Sequence, residues 1–198
     1  MQILYFPYNS PMKKNKIFIL SGPAWVGKTT LWHGIEKDAH HLEKIVTTTS
    51  RPIRTTETNG IDYHFLSKLE FESKIHTGDL IEYAIVHTNY YGSTYSELDR
   101  IIQENKSPIY IIEPQWMVHL KPLLEDKWYI VVTIFLLPPS IEELKKRLQE
   151  RGTETPQQFE IRVATALTEL EQQDFYDIKI INNDIKTAQI ELLNILNQ

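Results

Sequence analysis

Residues 22–29 read Gly22-Pro23-Ala24-Trp25-Val26-Gly27-Lys28-Thr29, a complete G-x-x-x-x-G-K-T. This spacing lets successive backbone N–H groups surround a β-phosphate while Lys28 reaches the β and γ oxygens. Thr29 can place its hydroxyl on Mg²⁺, and the helix expected to follow turns its positive end to the same anion. The chemistry implied is nucleoside triphosphate binding. What receives the phosphoryl group stays open, because such a loop serves GTPases, ATPases and small-molecule kinases alike. Trp25 is unusual inside it; the ring can stack on another group or wedge the loop against its neighbour, and the wedge is the preferred reading.

A second concentration of polar groups lies between 47 and 93. Thr47-Thr48-Thr49-Ser50-Arg51-Pro52-Ile53-Arg54 sets two arginines three apart, and paired guanidinium forks match phosphate oxygens bidentately. Asp62-Tyr63, Glu82 and Asn89-Tyr90-Tyr91-Gly92-Ser93 add hydroxyls and a carboxylate. Taken singly, each reads as an ordinary surface or core residue. Taken together they suit an acceptor pocket.

The elements that must position these groups can be read from periodicity. Lys16–Leu20 is a short apolar run ending in Ser21-Gly22-Pro23, a buried strand entering a turn. A helix is expected from Thr29, with Leu31, Trp32 and Ile35 inward, then a strand over Ile45–Thr48 and loops with small strands over 50–66. Helices are expected over Leu69–His76, stopping at Gly78, and over Ser96–Glu104, with a strand at Ile81–His87 between them. Ile109–Ile112 and Tyr129–Leu137 are strands whose continuous apolarity favours a parallel sheet covered on both faces. A helix carrying Trp116, Leu120 and Leu123 separates the two. Ser140-Ile141-Glu142-Glu143 and Thr155-Pro156-Gln157-Gln158 are helix-start signatures. Ile178–Ile181 is a last strand, and Asp184 caps an amphipathic helix with Ile185, Ile190, Leu193 and Ile195. The alternation predicts a three-layer α/β core carrying a polar insert.

The 198 residues suit one sizeable domain. The chain has no cysteine, which excludes disulfides, thiolate nucleophiles and thiolate-ligated metals. A net charge of −5 argues against a general nucleic-acid surface while permitting a local basic pocket. The first residues are no signal peptide, and no apolar run approaches the roughly 20 residues that span a bilayer. The expectations are a cytoplasmic protein, with no membrane or nucleic-acid partner, as monomer or homodimer. Met12 is a second plausible start, leaving residues 1–15 as an extension.

Across about residues 16–196 the sequence resembles guanylate kinase. The resemblance rests on the phosphate loop, Thr49-Ser50-Arg51 with Arg54, Asn59-Gly60-Ile61-Asp62-Tyr63-His64-Phe65, Gly78-Asp79-Leu80-Ile81-Glu82-Tyr83-Ala84 and Asn89-Tyr90-Tyr91-Gly92-Ser93. It continues through Phe135–Ser140, Leu148–Thr155, Arg162 and Asn182-Asn183-Asp184. It implies a P-loop NTPase-type three-layer α/β fold with a parallel central sheet, a small mixed α/β insert and a helical lid. The parts would be a core of 16–46 and 96–196, a GMP-binding insert of 47–95 and a lid around 148–163.

The same resemblance implies ATP and GMP as substrates and Mg²⁺ as cofactor, with Thr29 as its protein ligand. It assigns ATP to residues 22–29 with Thr30 and Asn182. It assigns GMP to Thr47, Arg51, Arg54, Tyr63, Glu82, Tyr91, Ser93 and Glu113, with the phosphate on Arg51, Arg54, Tyr63 and Tyr91. Catalytic roles would fall to Lys28, Arg51, Arg147, Arg151 and Arg162. Guanine offers N1–H and an N2 amino group as donors, which suit the Glu82 carboxylate, and an O6 acceptor, which suits the Thr47 hydroxyl.

Three positions depart from the family pattern. Ile111 stands where it has an aspartate, Trp116 where it has a glycine, and Trp25 lies in the phosphate loop. Two further readings therefore stay open beside GMP phosphorylation: the same build acting on another phosphorylated acceptor, and a non-catalytic binding module.

Overall fold

The computed structural model describes residues 15–150 and 155–198. The expected amino-terminal extension lies outside these residues except for Asn15, as do Arg151 and residues 152–154 of the expected lid.

Five strands form the central sheet: β1 (Lys16–Ser21), β2 (Leu42–Lys44), β7 (Ser107–Ile111), β8 (Ile130–Leu137) and β9 (Ile178–Ile181). Their order is β2-β7-β1-β8-β9, and every pairing is parallel. Successive side chains of β1 go to opposite faces, so its apolar run feeds two cores. Phe18 and Leu20 join Leu31, Trp32 and Ile35 of α1 (Lys28–Ile35) and Leu192 of α7 (Ile185–Leu196). Ile17 and Ile19 join Leu98 and Ile101 of α3 (Tyr95–Gln103) and Met117, Leu120 and Leu124 of α4 (Pro114–Glu125). Helix, sheet and helix make three layers, as the alternation predicts.

A second sheet, of order β4-β3-β6-β5, contains β3 (Thr48–Thr49), β4 (His64–Phe65), β5 (Leu80–Val86) and β6 (Asn89–Thr94). The β5–β6 and β3–β6 pairs are antiparallel and β3–β4 is parallel. Helix α2 (Lys68–Thr77) starts on a Ser67/Glu70 capping box and ends at Gly78, whose φ of 71° closes the last turn. Phe71 of α2 stacks on Tyr90, with centroids 5.0 Å apart. Finally, α5 (Ile141–Glu150) and α6 (Pro156–Leu170) pack together through Leu144, Leu148, Val163 and Ala166. Thr155 caps α6 in a reciprocal box with Gln158, and Asp184 accepts from the Thr187 N–H at 2.9 Å to cap α7.

Three expectations are corrected. The strand expected over 45–48 is not one: β2 ends at Lys44 and β3 begins at Thr48, and residues 45–47 carry the chain from one sheet to the other. Ile45 still donates its N–H to Ile109 O at 2.9 Å, whereas Thr48 pairs with Gly92. In α4 the buried stripe is Met117, Leu120 and Leu124, and Leu123 is exposed. In α7 it is Ala188, Leu192 and Leu196, and Ile190 is 64% exposed. Both helices carry more apolar residues than one stripe holds, so composition alone misplaced the inner face. The strand β6 was not anticipated.

Candidate functional site

Between β1 and α1 the backbone must make a tight loop, and its two glycines permit that. Gly22 has φ 147° and Gly27 φ 101°, conformations that L side chains rarely adopt. A Cβ on Gly22 would stand 2.5 Å from Leu136 O, and one on Gly27 2.8 Å from Asn182 Nδ2. Asn182 is buried and donates from Nδ2 to Val26 O at 2.8 Å, tying the loop to the end of β9. Lys28 Nζ donates to Gly22 O at 2.7 Å and Pro23 O at 3.0 Å. Burial pushes the Lys28 ammonium pKa down, and the carboxylates of Glu113 and Glu169 act to raise it.

The loop borders a cavity of about 920 Å³. At one end stand Ala24, Trp25, Gly27, Lys28, Thr29 and Thr30, with Arg147, Arg162 and Asn182 beside them. Arg147 is held by Nε donating to Glu143 at 3.1 Å and Nη2 to Asn182 O at 3.4 Å. At the other end the antiparallel register sets Glu82 opposite Ser93. There Thr47, Tyr63, Glu82, Tyr91, Ser93 and Tyr110 line the wall. Ser93 Oγ donates to Glu82 Oε1 at 2.6 Å. Burial pushes the Glu82 carboxyl pKa up, with the Ser93 hydrogen bonds opposing.

Glu113, at the N-cap of α4, and Ile111 lie on the wall between the two ends. Ile111 also packs against the core. Trp116 lines the same cavity.

Two expected phosphate ligands, Arg51 and Arg54, are not themselves among the residues that line the cavity, but Arg51 borders it through Tyr63 and Tyr91, which do line it. Arg51 lies over the rings of Tyr63 and Phe65, 5.6 and 5.5 Å from their centroids. Its guanidinium donates to both oxygens of Glu57, Nη1 at 3.0 Å and Nη2 at 2.8 Å. Arg54 is an exposed residue whose Nη1 stands 4.0 Å from the same carboxylate. A turn closed by the Glu57 N–H on Arg54 O brings the Glu57 carboxylate to both arginines. Gly22, Pro23 and Val26 form the loop without facing the cavity; the Val26 side chain is core. Arg151 lies outside the described residues.

Glu57 and Glu169 were missed by sequence reasoning. No local pattern marks Glu57. Glu169 carries a signal, a charged residue on the inner stripe of α6 with Val163 and Ala166. It is buried and accepts the Ala24 N–H at 3.3 Å. Burial raises its pKa, with the Ala24 hydrogen bond opposing.

The guanylate kinase family model matches residues 14–198. The chain belongs to the guanylate kinase family. Among curated guanylate kinases, that of Malacoplasma penetrans (strain HF-2) is 42% identical over 185 residues, 93% of each chain. That of Wolbachia sp. subsp. Brugia malayi (strain TRS) is 36% identical, covering 92% of each. The crystal structure of guanylate kinase from Anaplasma phagocytophilum superposes with a TM-score of 0.70 at 28% identity, over 92% of this chain and 85% of that one. Membership in the guanylate kinase family gives the chain a phosphotransferase build. Among the described residues, no helix is long and apolar enough to cross a membrane.

Proposed function

We propose that the chain transfers the γ-phosphoryl group of ATP to GMP, and to dGMP, releasing ADP. The observation that carries this reading is one continuous cavity with a phosphate loop at one end and the Glu82–Ser93 pair with Thr47 at the other. In this reading the loop amides and Lys28 hold the donor phosphates, with Thr30 and Asn182 beside them. Arg147 and Arg162 neutralise charge that spreads over the transferring group. Glu82 accepts from N1–H and the N2 amino group of guanine, and Thr47 donates to O6. Adenine lacks the N1 proton and would leave the buried carboxylate incompletely paired. Tyr63 and Tyr91 bring hydroxyls to the acceptor side of the same cavity. Arg51 enters through its contact with Tyr63 rather than as a cavity-lining ligand.

The donor set also fits Mg²⁺, because the Thr29 hydroxyl and the Glu113 carboxylate are hard oxygen donors that line the same cavity. When bound, the ion would offset negative charge on the donor phosphates, with the Thr29 hydroxyl and the Glu113 carboxylate as the residues that would hold it.

ADP release, coupled to a spectroscopic readout, should be measured with GMP, dGMP, AMP, CMP and UMP. GMP and dGMP should be turned over best. Lys28→Ala should lower kcat by at least about 100-fold, on the scale of losing a charge-stabilising donor, while its thermal midpoint stays near that of the parent. Equal use of AMP, or near-normal turnover in folded Lys28→Ala, would overturn the assignment.

A further inference from the structure

Trp25 occupies a position whose backbone does not suit it. Its φ is 68°, a left-handed conformation that strains an ordinary residue and that glycine adopts freely. A large ring placed there needs compensating contacts, and the structure supplies them from α6. The half-buried indole packs against the α5–α6 cluster of Leu144, Leu148, Val163 and Ala166. The Arg162 guanidinium lies over the indole ring with Cζ 5.5 Å from the centroid, inside the range of a cation–π contact. The preceding residue is held by the same helix, since the Ala24 N–H donates to Glu169 Oε2 at 3.3 Å. Arg162, Ala166 and Glu169 are spaced i, i+4, i+7, one face of α6. That face meets the two consecutive loop residues just before the phosphate-holding turn.

From this arrangement we propose that Trp25 is a positioning residue, which seats the Arg162 guanidinium beside the phosphate loop at the ATP end of the cavity. The Arg162 side chain is long and has several rotatable bonds, so its placement depends on the contacts around it. The indole face selects directions that keep the charge against the loop, and the Ala24–Glu169 hydrogen bond fixes the loop backbone to the same helix. The conformational entropy lost in ordering that side chain is then spent before the donor arrives. The consequence is felt in the chemical step, because charge on the transferring group develops there, and little in ATP affinity. The inference rests on the kinase reading, and it assigns a role to a residue that the phosphate-loop motif leaves free.

The test is a double-mutant cycle on the full chain, with kcat and KM for ATP and GMP and the thermal midpoint measured for each protein. Trp25→Leu keeps apolar bulk and removes the π-face; it should lower kcat about 3- to 30-fold, the range of a cation–π contact, with KM for ATP changing less than about twofold. Trp25→Phe should recover most of the loss. Beside Arg162→Ala, Trp25→Leu should cost nothing further. An unchanged kcat in folded Trp25→Leu overturns the proposal. So does an equal fall in kcat in both backgrounds, which would make Trp25 a structural part of the loop. Should Trp25→Leu fail to fold, Trp25→Phe decides by the same cycle: a drop of two- to fivefold that vanishes beside Arg162→Ala supports the proposal, and one that persists overturns it. A parent protein without kinase activity on any nucleoside monophosphate would instead refute the kinase reading itself.

Discussion

Glu82 sits where a carboxylate is costly to fold and useful once folded. Its burial raises the pKa, so the folded chain retains a proton that the unfolded chain gives up. The sign follows directly: this residue favours folding most below the unfolded pKa of about 4.5, and the favour is lost as pH climbs through the raised value. At neutral pH Glu82→Gln should therefore leave the thermal midpoint unchanged or higher. Its kcat/KM for GMP should fall about 10- to 1000-fold, because a charge-assisted pair with the guanine donors is lost, and AMP should gain relative to GMP. In the parent, KM for GMP should begin to rise on acidification while still above the ordinary carboxylate range, and the Gln variant should lack that limb. A variant that loses midpoint and activity together, with GMP/AMP selectivity intact, would make Glu82 a structural residue.

Glu82 reaches its partner only because β5 and β6 hold register, and the hairpin between them is poorly matched to its turn. Val86 pairs with Asn89, leaving the two-residue connection His87-Thr88 with φ of 54° and 112°. Two consecutive positive φ values are the demand of a tight hairpin turn that Asn-Gly satisfies, and a β-branched threonine does so under strain. Thr88→Gly should stabilise the protein by about 1 kcal/mol, seen as a rise of roughly 2–4 °C in thermal midpoint. A lower midpoint would show that the threonine makes contacts worth more than the strain.

The same mismatch explains what the sequence did and did not disclose. The phosphate loop was legible because all its determinants are contiguous and lie between a buried strand and a helix. The parallel core was legible because β1, β7 and β8 are apolar on both faces. Strand β6 was hidden, since His87-Thr88 lacks a turn signature and Tyr90-Tyr91-Gly92 alternates no hydrophobic pattern. The Arg51–Glu57 pair depends on a turn that only tertiary structure reveals. The inner stripes of α4 and α7 were misplaced because Leu123 and Ile190 are apolar residues on outer faces.

At the scale of the molecule, the chain passes between the two sheets twice, near residues 45–47 and 94–97, and one buried carboxylate joins both crossings. Glu97 of α3 accepts the Val46 N–H at 3.3 Å through Oε1 and Arg100 Nε at 3.0 Å through Oε2, and His64 Nε2 of β4 lies 3.6 Å from Oε2. Arg100 also pairs with Glu43 of β2, so the network touches the central sheet, the small sheet and the helix that follows them. Burial alone would raise the Glu97 pKa, but the nearby His64 ring and the hydrogen bonds from Arg100 and Val46 outweigh it and hold the carboxyl at about 2. A depressed carboxyl pKa contributes stability that is full above the unfolded value of about 4.5 and is lost as pH falls towards about 2. The size is up to about 3 kcal/mol at about 1.4 kcal/mol per pKa unit. Glu82 and Glu169 act in the opposite sense at higher pH, because both carboxyls are raised by burial. The parent's own pH profile mixes these effects, and the difference between parent and variant isolates one. Glu97→Gln should be less stable than the parent by about 2–3 kcal/mol in denaturant titrations at pH 7, since it removes the buried charge whose lowered pKa supplies that stability. That gap should narrow steadily between about pH 5 and pH 2. A gap that stays constant over this window would mean that Glu97 joins the two sheets by packing rather than by charge.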